Sequence, residues 1–335
     1  MADGAVSPTV AEPLRIGILG AARIAPLSIV SPAAATGHRL VAVAARDVAR
    51  ARAFACEHGV ERALESYAAV IDDPDVEVVY NPLPNSLHAE WNIRAAEAGK
   101  HVLSEKPAAL NADEAMRVRD AVAAAGVVFM EAFHYPYHPL FQRVCRLLAD
   151  GAVGDVQHVE AILKMPAPPD SDPRWSSELG GGSTMDLGCY SLSALRLLSP
   201  YAGGEPRVVS AWREDRPGRP GVDERLFVEV AYPSGATGSG GSDMDCSERD
   251  FHLLVRGSAG EIFVPMFPVP HEGDSLVLRL DGQPEIVEHL GTRSSYTYQL
   301  EAFADAVRRG SRVVTDAEWS VGNARLMEDS FAACR

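Results

Sequence analysis

The residues of this chain whose types suit chemistry are Lys106, Asp186 and Tyr190, and they lie far apart in the sequence. Lys106 belongs to the stretch Gly99-Lys100-His101-Val102-Leu103-Ser104-Glu105-Lys106-Pro107. This reads as a helix end at Gly99, a short apolar strand over 101–103 and an abrupt stop, because proline donates nothing to a sheet ladder. Ligands of an open α/β sheet bind just outside the carboxyl ends of its strands, which makes Lys106 a candidate for chemistry. The competing reading is one more solvated lysine. Asp186 and Tyr190 are spaced i and i+4, which sets both on one helix face. Hydride transfer at a carbonyl carbon leaves a proton to be moved at the oxygen, and a side chain with an accessible proton must stand within reach. Tyrosine, with an ordinary pKa of about 10, is a poor base at neutral pH, and a nearby ammonium lowers that value by stabilising the phenolate. For Tyr190 the competing reading is an aromatic packed on an amphipathic helix.

The elements that position these residues follow from local pattern. The strand-like run 14–19 breaks at Gly20-Ala21-Ala22-Arg23-Ile24-Ala25, a dinucleotide fingerprint G-x-G-x-x-G rewritten as G-x-A-x-x-A. Gly20 supplies the tight turn, and alanine at 22 and 25 still lets the backbone approach a pyrophosphate at a helix N-terminus. The next strand, 40–44, ends in Ala44-Ala45-Arg46-Asp47. Arg46 suits a 2′-phosphate and hence NADP, whereas Asp47 reads as the N-cap of a helix over 48–58. Asp47 on the ribose of NAD stays open. Strands over 76–80, 101–103 and 127–130 alternate with helices over 86–98 and 112–124, which implies a parallel sheet with right-handed crossovers. The expected organisation is a flexible tail over 1–13, a Rossmann dinucleotide-binding domain over 14–134, and a substrate-binding and oligomerisation domain over 135–335 whose final helices return to the first domain.

From residue 140 the pattern changes. A helix over 140–149 leads to a strand over 156–165, then a Pro-rich loop, Trp175 and the triplet Gly180-Gly181-Gly182. Ser183 is the expected N-cap of the helix that carries Asp186 and Tyr190. Strands over 207–213, 225–232, 236–245, 251–256 and 275–280, separated by turns, predict a mostly antiparallel open sheet, closed by helices over 298–309 and 317–331. Such a sheet leaves an uncovered face, so a homo-oligomer, most simply a dimer, is expected, with the run 262–267 as a contributor or else as internal core.

With 335 residues, 47% of them hydrophobic, the chain has material for a large core. Its formal net charge of -15 argues against nucleic acid or an anionic membrane surface as partner. The five cysteines are scattered and form no Cys-x-x-Cys pair, which suits reduced thiols in a cytoplasm and no zinc site. No apolar run approaches the roughly 20 residues that span a bilayer.

GILGAARIA, NPLPNSLH, GKHVLSEKP, EAFHYPYHP and ELGGGSTMDLGCY occur in an order that resembles the glucose–fructose oxidoreductase / inositol dehydrogenase (Gfo/Idh/MocA) family over nearly the whole chain. The resemblance implies an NAD(P)-dependent oxidoreductase acting on a sugar, cyclitol or diol, with Lys106 and a proton donor flanking the nicotinamide. Tyr190 stands where the family usually has the histidine of D-x-x-x-H, as in its branch with dimeric dihydrodiol dehydrogenase and NADP xylose dehydrogenases. It implies Asp186 as the partner that orients Lys106 or the substrate. Gly20, Ala22, Arg23, Ile24, Arg46, Pro82, Asn85, His88 and Glu105 fall on the cofactor side. His88 has the alternative of a surface helix residue, and Glu105 that of an ion pair with Lys106. His134 replaces a tryptophan of that branch and Pro136 an arginine. His134, Arg174 and Trp175 are expected to line the substrate pocket, core being the alternative for Trp175. Two other functions fit the same architecture: a non-catalytic nucleotide sensor, and an NAD-dependent glycoside hydrolase that returns its hydride.

Overall fold

The computed structural model describes residues 12–334. The tail expected over 1–13 therefore lies, apart from Glu12 and Pro13, outside the described residues. Six strands make the first sheet: β1 Arg15–Leu19, β2 Arg39–Ala44, β3 Ala63–Leu64, β4 Val78–Asn81, β5 His101–Ser104 and β6 Phe129–Glu131. Their order is β3-β2-β1-β4-β5-β6 and every pair is parallel. The order reverses between β1 and β4, so a crevice opens beyond their carboxyl ends, the position at which such sheets bind ligands. Ile16, Ile18, Val41, Val43, Val78 and Val79 have no solvent exposure, as strands covered on both faces require.

The second sheet has eight strands: β7 Val156–Lys164, β8 Arg207–Asp215, β9 Asp223–Ala231, β10 Thr237–Asp243, β11 Asp250–Gly257, β12 Gly260–Val264, β13 Ser275–Leu280 and β14 Ile286–His289. They run in the order β14-β13-β12-β11-β7-β10-β9-β8, antiparallel except for β7 against β10. Alternate residues such as Val159, Ala161, Leu226 and Val228 point inward and join Leu192 and Leu195 of the helix Cys189–Leu197 in one core. On the opposite face Trp212 stacks on Phe227 with ring centroids 6.3 Å apart, and Trp212 is left 48% exposed. The helix Ser295–Arg309 turns back to the first sheet, where Leu300 and Phe303 pack with Ile16, Ile18 and Leu103.

Three expectations need correction. Ser183 is not an N-cap: its backbone is already helical (φ -60°, ψ -41°), and its buried hydroxyl makes no hydrogen bond. The segment Thr184–Gly188 is instead a π-helical turn that runs straight into Cys189–Leu197, and its first amide, that of Thr184, donates to Asp223 Oδ2 at 2.7 Å, which takes the place of a serine cap. The run 262–267 is mainly interior, with Ile262, Val264 and Phe267 at 1% exposure or less, because alternate residues of β12 point into the main core. The sequence pattern also gives no strand at β3, β12 or β14; β3 has only two residues, β12 opens on a glycine and β14 is short and mostly exposed.

Candidate active site

Two adjoining cavities occupy the crevice. One, of 320 Å³, is bordered by the turn Gly20-Ala21-Ala22, by Ala45, Arg46, Arg50 and Tyr67, and by the triplet Gly180 to Gly182. The other, of 660 Å³, is bordered by Arg23, Ile24, Lys106, Arg174, Asp186, Tyr190 and Arg249. Pro82, Leu83, Asn85, Pro173, Arg174 and Asp186 border both, so the two form one continuous cleft.

The first cavity lies at the switch point of the parallel sheet, where such sheets bind their ligands. Gly20 adopts φ 108°, which an L side chain resists, and its amide donates to the Ala44 carbonyl at 2.7 Å, closing the turn after β1. Opposite, Gly182 donates to the Arg174 carbonyl at 2.8 Å, and a Cβ on Gly181 would collide with that same carbonyl. Asn85 Nδ2 donates to the Gly180 carbonyl at 2.9 Å and ties the β4 loop to the glycine triplet. Arg46 and Arg50 supply positive charge at the far end, and Arg50 also donates to the Ala21 carbonyl at 3.2 Å. Asp47 accepts from the Ala49 amide at 2.8 Å, the N-cap role, and does not border the cavity.

The loop after β5 brings in the chemistry. Lys106 Nζ donates to the Asp186 carbonyl at 2.6 Å, reaches Asp186 Oδ1 at 3.3 Å, and lies 4.8 Å from the centre of the Tyr190 ring. Asp186 Oδ2 accepts from Arg174 Nε at 2.6 Å. The Asp172 side chain, 7% exposed, receives both Arg174 and Arg23, so an ionic chain runs from Arg23, after the Gly20 turn, through Asp186 to Lys106. Burial opposes the charge on Asp186, yet Lys106 and Arg174 outweigh it and hold its pKa below the ordinary carboxylate value. For Lys106 burial likewise works against the charge, but Cys189, Asp186 and Glu105 leave its pKa raised, so it stays an ammonium.

Several expected residues have other positions or roles. Tyr190 does not carry a lowered pKa: burial, then Glu105, Cys189 and Asp186, push it well above 10, and Lys106 lies over the ring face rather than at the hydroxyl. Glu105 is not an ion-pair partner of Lys106; it accepts from the Tyr80 hydroxyl at 2.7 Å, and burial raises its pKa. His88 is no surface residue. At 1% exposure it faces the Pro107 and Leu83 carbonyls, each at 2.7 Å, and braces the Lys106 loop from below. A neutral imidazole can donate to only one of those carbonyls, and burial lowers its pKa to about 4. Trp175 does not line the pocket: it is 1% exposed, its Nε1 donates to the Pro168 carbonyl at 3.1 Å, and it anchors the Pro-rich loop from inside. His134 is likewise absent from the cavity wall and lies buried behind Tyr190. Arg174 borders both cavities as expected of a pocket residue. Asp172 and Arg50 escaped the sequence reading. Arg50 had a signal, a second basic residue in the first turn of the helix capped by Asp47, whereas Asp172 had none.

A parallel sheet with a glycine turn at its switch point and a lysine in the loop after β5, joined to a helical segment that brings a carboxylate and a tyrosine to the same cleft, defines a dinucleotide-dependent oxidoreductase. Residues 14–133 match the model of the oxidoreductase family with an NAD-binding Rossmann fold, and residues 141–263 that of the GFO/IDH/MocA C-terminal domain. The chain belongs to the Gfo/Idh/MocA family of oxidoreductases. It is 38% identical over 317 residues to D-xylose 1-dehydrogenase (NADP(+)) 2 of Haloferax volcanii, covering 94% of this chain and 95% of that one. It is 35% identical to dTDP-3,4-didehydro-2,6-dideoxy-alpha-D-glucose 3-reductase of Streptomyces violaceoruber, over 89% of this chain and 86% of the relative. Among solved structures, a 3-ketoreductase from Actinomadura kijaniata in complex with NADP and TDP-benzene superposes with a TM-score of 0.88 at 28% identity, covering 97% and 98% of the two chains.

Proposed function

We propose that this chain is an NADP(H)-dependent oxidoreductase that interconverts a carbonyl and a secondary alcohol on a sugar, cyclitol or diol. The observation that carries this reading is the Lys106–Asp186–Tyr190 cluster at the junction of the two cavities, with Lys106 Nζ 2.6 Å from the Asp186 carbonyl and 4.8 Å from the Tyr190 ring centre. A bound nicotinamide supplies or accepts the hydride; the residues of the chain manage charge and the proton. Tyr190, kept protonated by burial, donates its O–H to the substrate oxygen in the reductive direction, and the phenolate this leaves is the form that takes the alcohol proton in the oxidative one. Lys106 stabilises negative charge developing on that oxygen, and Asp186, held in turn by Arg174, fixes the ammonium.

Arg46 and Arg50 beside the first cavity support a 2′-phosphate, and with it NADP, while the Asp47 carboxylate is occupied in its cap. Each arginine of the second cavity already has a carboxylate: Asp172 for Arg23 and Arg174, and Glu272 for Arg249. That balance favours an uncharged polyol over a phosphorylated sugar. The dehydrogenase and reductase names of the relatives agree with hydride chemistry on sugars. The uncovered face of the second sheet supports a dimer, and five free thiols support a reducing compartment such as the cytoplasm. The test is a panel of aldoses, ketoses, cyclitols and diols assayed for net change in NADPH. Turnover of an uncharged member supports the proposal. Glycoside cleavage without net cofactor change, or cofactor binding without any turnover, contradicts it.

A further inference from the structure

Beside Tyr190 lies a string of side chains that the chemistry above leaves unused and that does not border the cavity. The Tyr190 hydroxyl is 3.4 Å from His134 Nε2, His134 Nδ1 is 2.8 Å from Ser295 Oγ, and the same Oγ is 3.1 Å from His271 Nδ1. Three separate parts of the chain supply them. His134 precedes the turn Tyr135–Tyr137, Ser295 opens the helix Ser295–Arg309, and His271 lies in the loop between β12 and β13. His134 is 1% exposed and its ring lies against Tyr296, with centroids 3.8 Å apart; His271 is half-buried.

We propose that His134, Ser295 and His271 are positioning residues that set the direction in which the Tyr190 hydroxyl points. The inference rests on Tyr190 being the proton donor and acceptor. It follows from counting protons. Ser295 has one hydroxyl proton and faces two imidazole nitrogens, so it donates to one and must accept from the other. His134 stays neutral, because burial and the charges of His271, Lys106 and His138 all lower its pKa, and it therefore has a single ring proton. When His271 is protonated on both nitrogens, its Nδ1 can only donate to Ser295. Ser295 then donates to His134 Nδ1, and His134 keeps its proton on Nε2, where it donates to the Tyr190 oxygen. The phenolic proton is thereby turned toward the cavity, the arrangement that protonates a substrate oxygen. When His271 is neutral the opposite polarity becomes available, in which Tyr190 donates to His134 and offers lone pairs to the cavity.

Charged and titratable groups face the string at each point. Glu272 and Arg249 face His271; Lys106 and His138 face His134; Glu105, Cys189, Asp186 and Tyr135 face Tyr190; and Tyr296 lies against both imidazoles. Burial, more than Glu272 restores, lowers the pKa of His271, so the change of polarity falls below the ordinary histidine value of 6.5.

The experiment follows ring nitrogens by NMR in the full chain, with histidine isotopically labelled at nitrogen, from about pH 8 to about pH 5, alone and with NADP+. His134→Gln and His271→Gln assign the signals. The expected result is that His134 moves to the Nε2–H form as His271 gains its second proton. In Ser295→Ala His271 still titrates, but His134 no longer follows it. A His134 tautomer that stays constant through the His271 titration, or that follows it equally in Ser295→Ala, overturns the inference. A kinetic arm uses a substrate that the wild type turns over. Reductive kcat rises about fivefold as His271 protonates, the size of one hydrogen bond, and this limb is missing in Ser295→Ala and in His271→Gln. A limb of equal size in all three, or none in the wild type, overturns it as well. Tyr190→Phe separates the two claims. If it retains turnover, the reading of Tyr190 fails and this inference with it. If it loses turnover while the string variants keep the wild-type profile, this inference alone fails.

Discussion

Replacing Arg46 with alanine tests the assignment of the cofactor's phosphate end. Arg46 and Arg50 border the same cavity, but only Arg50 also holds the Ala21 carbonyl of the phosphate turn, at 3.2 Å. A charge-assisted hydrogen bond contributes about 1.5–3 kcal/mol, which corresponds to roughly tenfold to a hundredfold in affinity. The wild type should therefore bind NADPH that much more tightly than NADH. Arg46→Ala should weaken NADPH by roughly tenfold or more and leave NADH nearly unchanged. Arg50→Ala should weaken both cofactors, because it also loosens the turn that carries Gly20 and Ala22. The two arginines share one cavity, so their losses need not add in the double variant. The assay is titration of the reduced cofactors against each protein by nicotinamide fluorescence. Equal wild-type affinities, or an Arg46→Ala protein that binds NADPH as well as the parent, would refute the reasoning.

Three further outcomes follow from the geometry. Trp175→Ala should destabilise the fold by about 3–5 kcal/mol, the cost of emptying a buried aromatic site, and urea unfolding that shows under 1 kcal/mol would return Trp175 to the pocket wall. Asp186 has a folded pKa below the ordinary 3.8, so its contribution to stability is complete above the unfolded pKa and is lost as pH falls through the folded value. Asp186→Asn should therefore lose less stability than the wild type when urea midpoints are compared from about pH 4 downward, and parallel losses would contradict this. Trp212 and Phe227 on the uncovered sheet face should lie in a dimer contact, so light scattering at micromolar concentration should give twice the chain mass and Trp212→Asp a monomer; a monomeric wild type would contradict it.

Much of the fold was legible because its signals are local. The turn at Gly20, the strand that stops at Pro107 and the Asp47 cap each need only a few neighbouring residues, and the helix Val48–His58 has the bounds that its cap and closing glycine imply. The i, i+4 spacing brought Asp186 and Tyr190 to the same lysine, although the backbone reaches Asp186 through a π-helical turn. What could not be read was direction and partnership at long range. Lys106 meets Asp186 across 80 residues and Arg23 meets Asp172 across 149, and no periodicity reports such pairs. Motif order pointed to the first pair and gave nothing for the second. Trp175 lies next to the pocket residue Arg174 in sequence yet faces inward, and His134 is interior as well, because a loop has no alternation to say which way a side chain turns. For Tyr190 the sequence shows the neighbouring ammonium but not the burial, which with Glu105, Cys189 and Asp186 raises its pKa.

In the proposed reaction Tyr190 moves the proton and Lys106 stabilises the oxygen. The most direct measurement is steady-state turnover and NADPH affinity of Tyr190→Phe, Lys106→Met and the double variant on a substrate from the polyol panel. Tyr190→Phe keeps the ring, including its contact with Phe133 at 5.2 Å, and removes only the hydroxyl. Turnover should fall by roughly a hundredfold to ten-thousandfold with NADPH affinity nearly unchanged, and Lys106→Met should be at least as damaging. Residues that act as a unit should leave the double variant little worse than the worse single one. Near-normal turnover in Tyr190→Phe, or losses that multiply in full, would contradict the account.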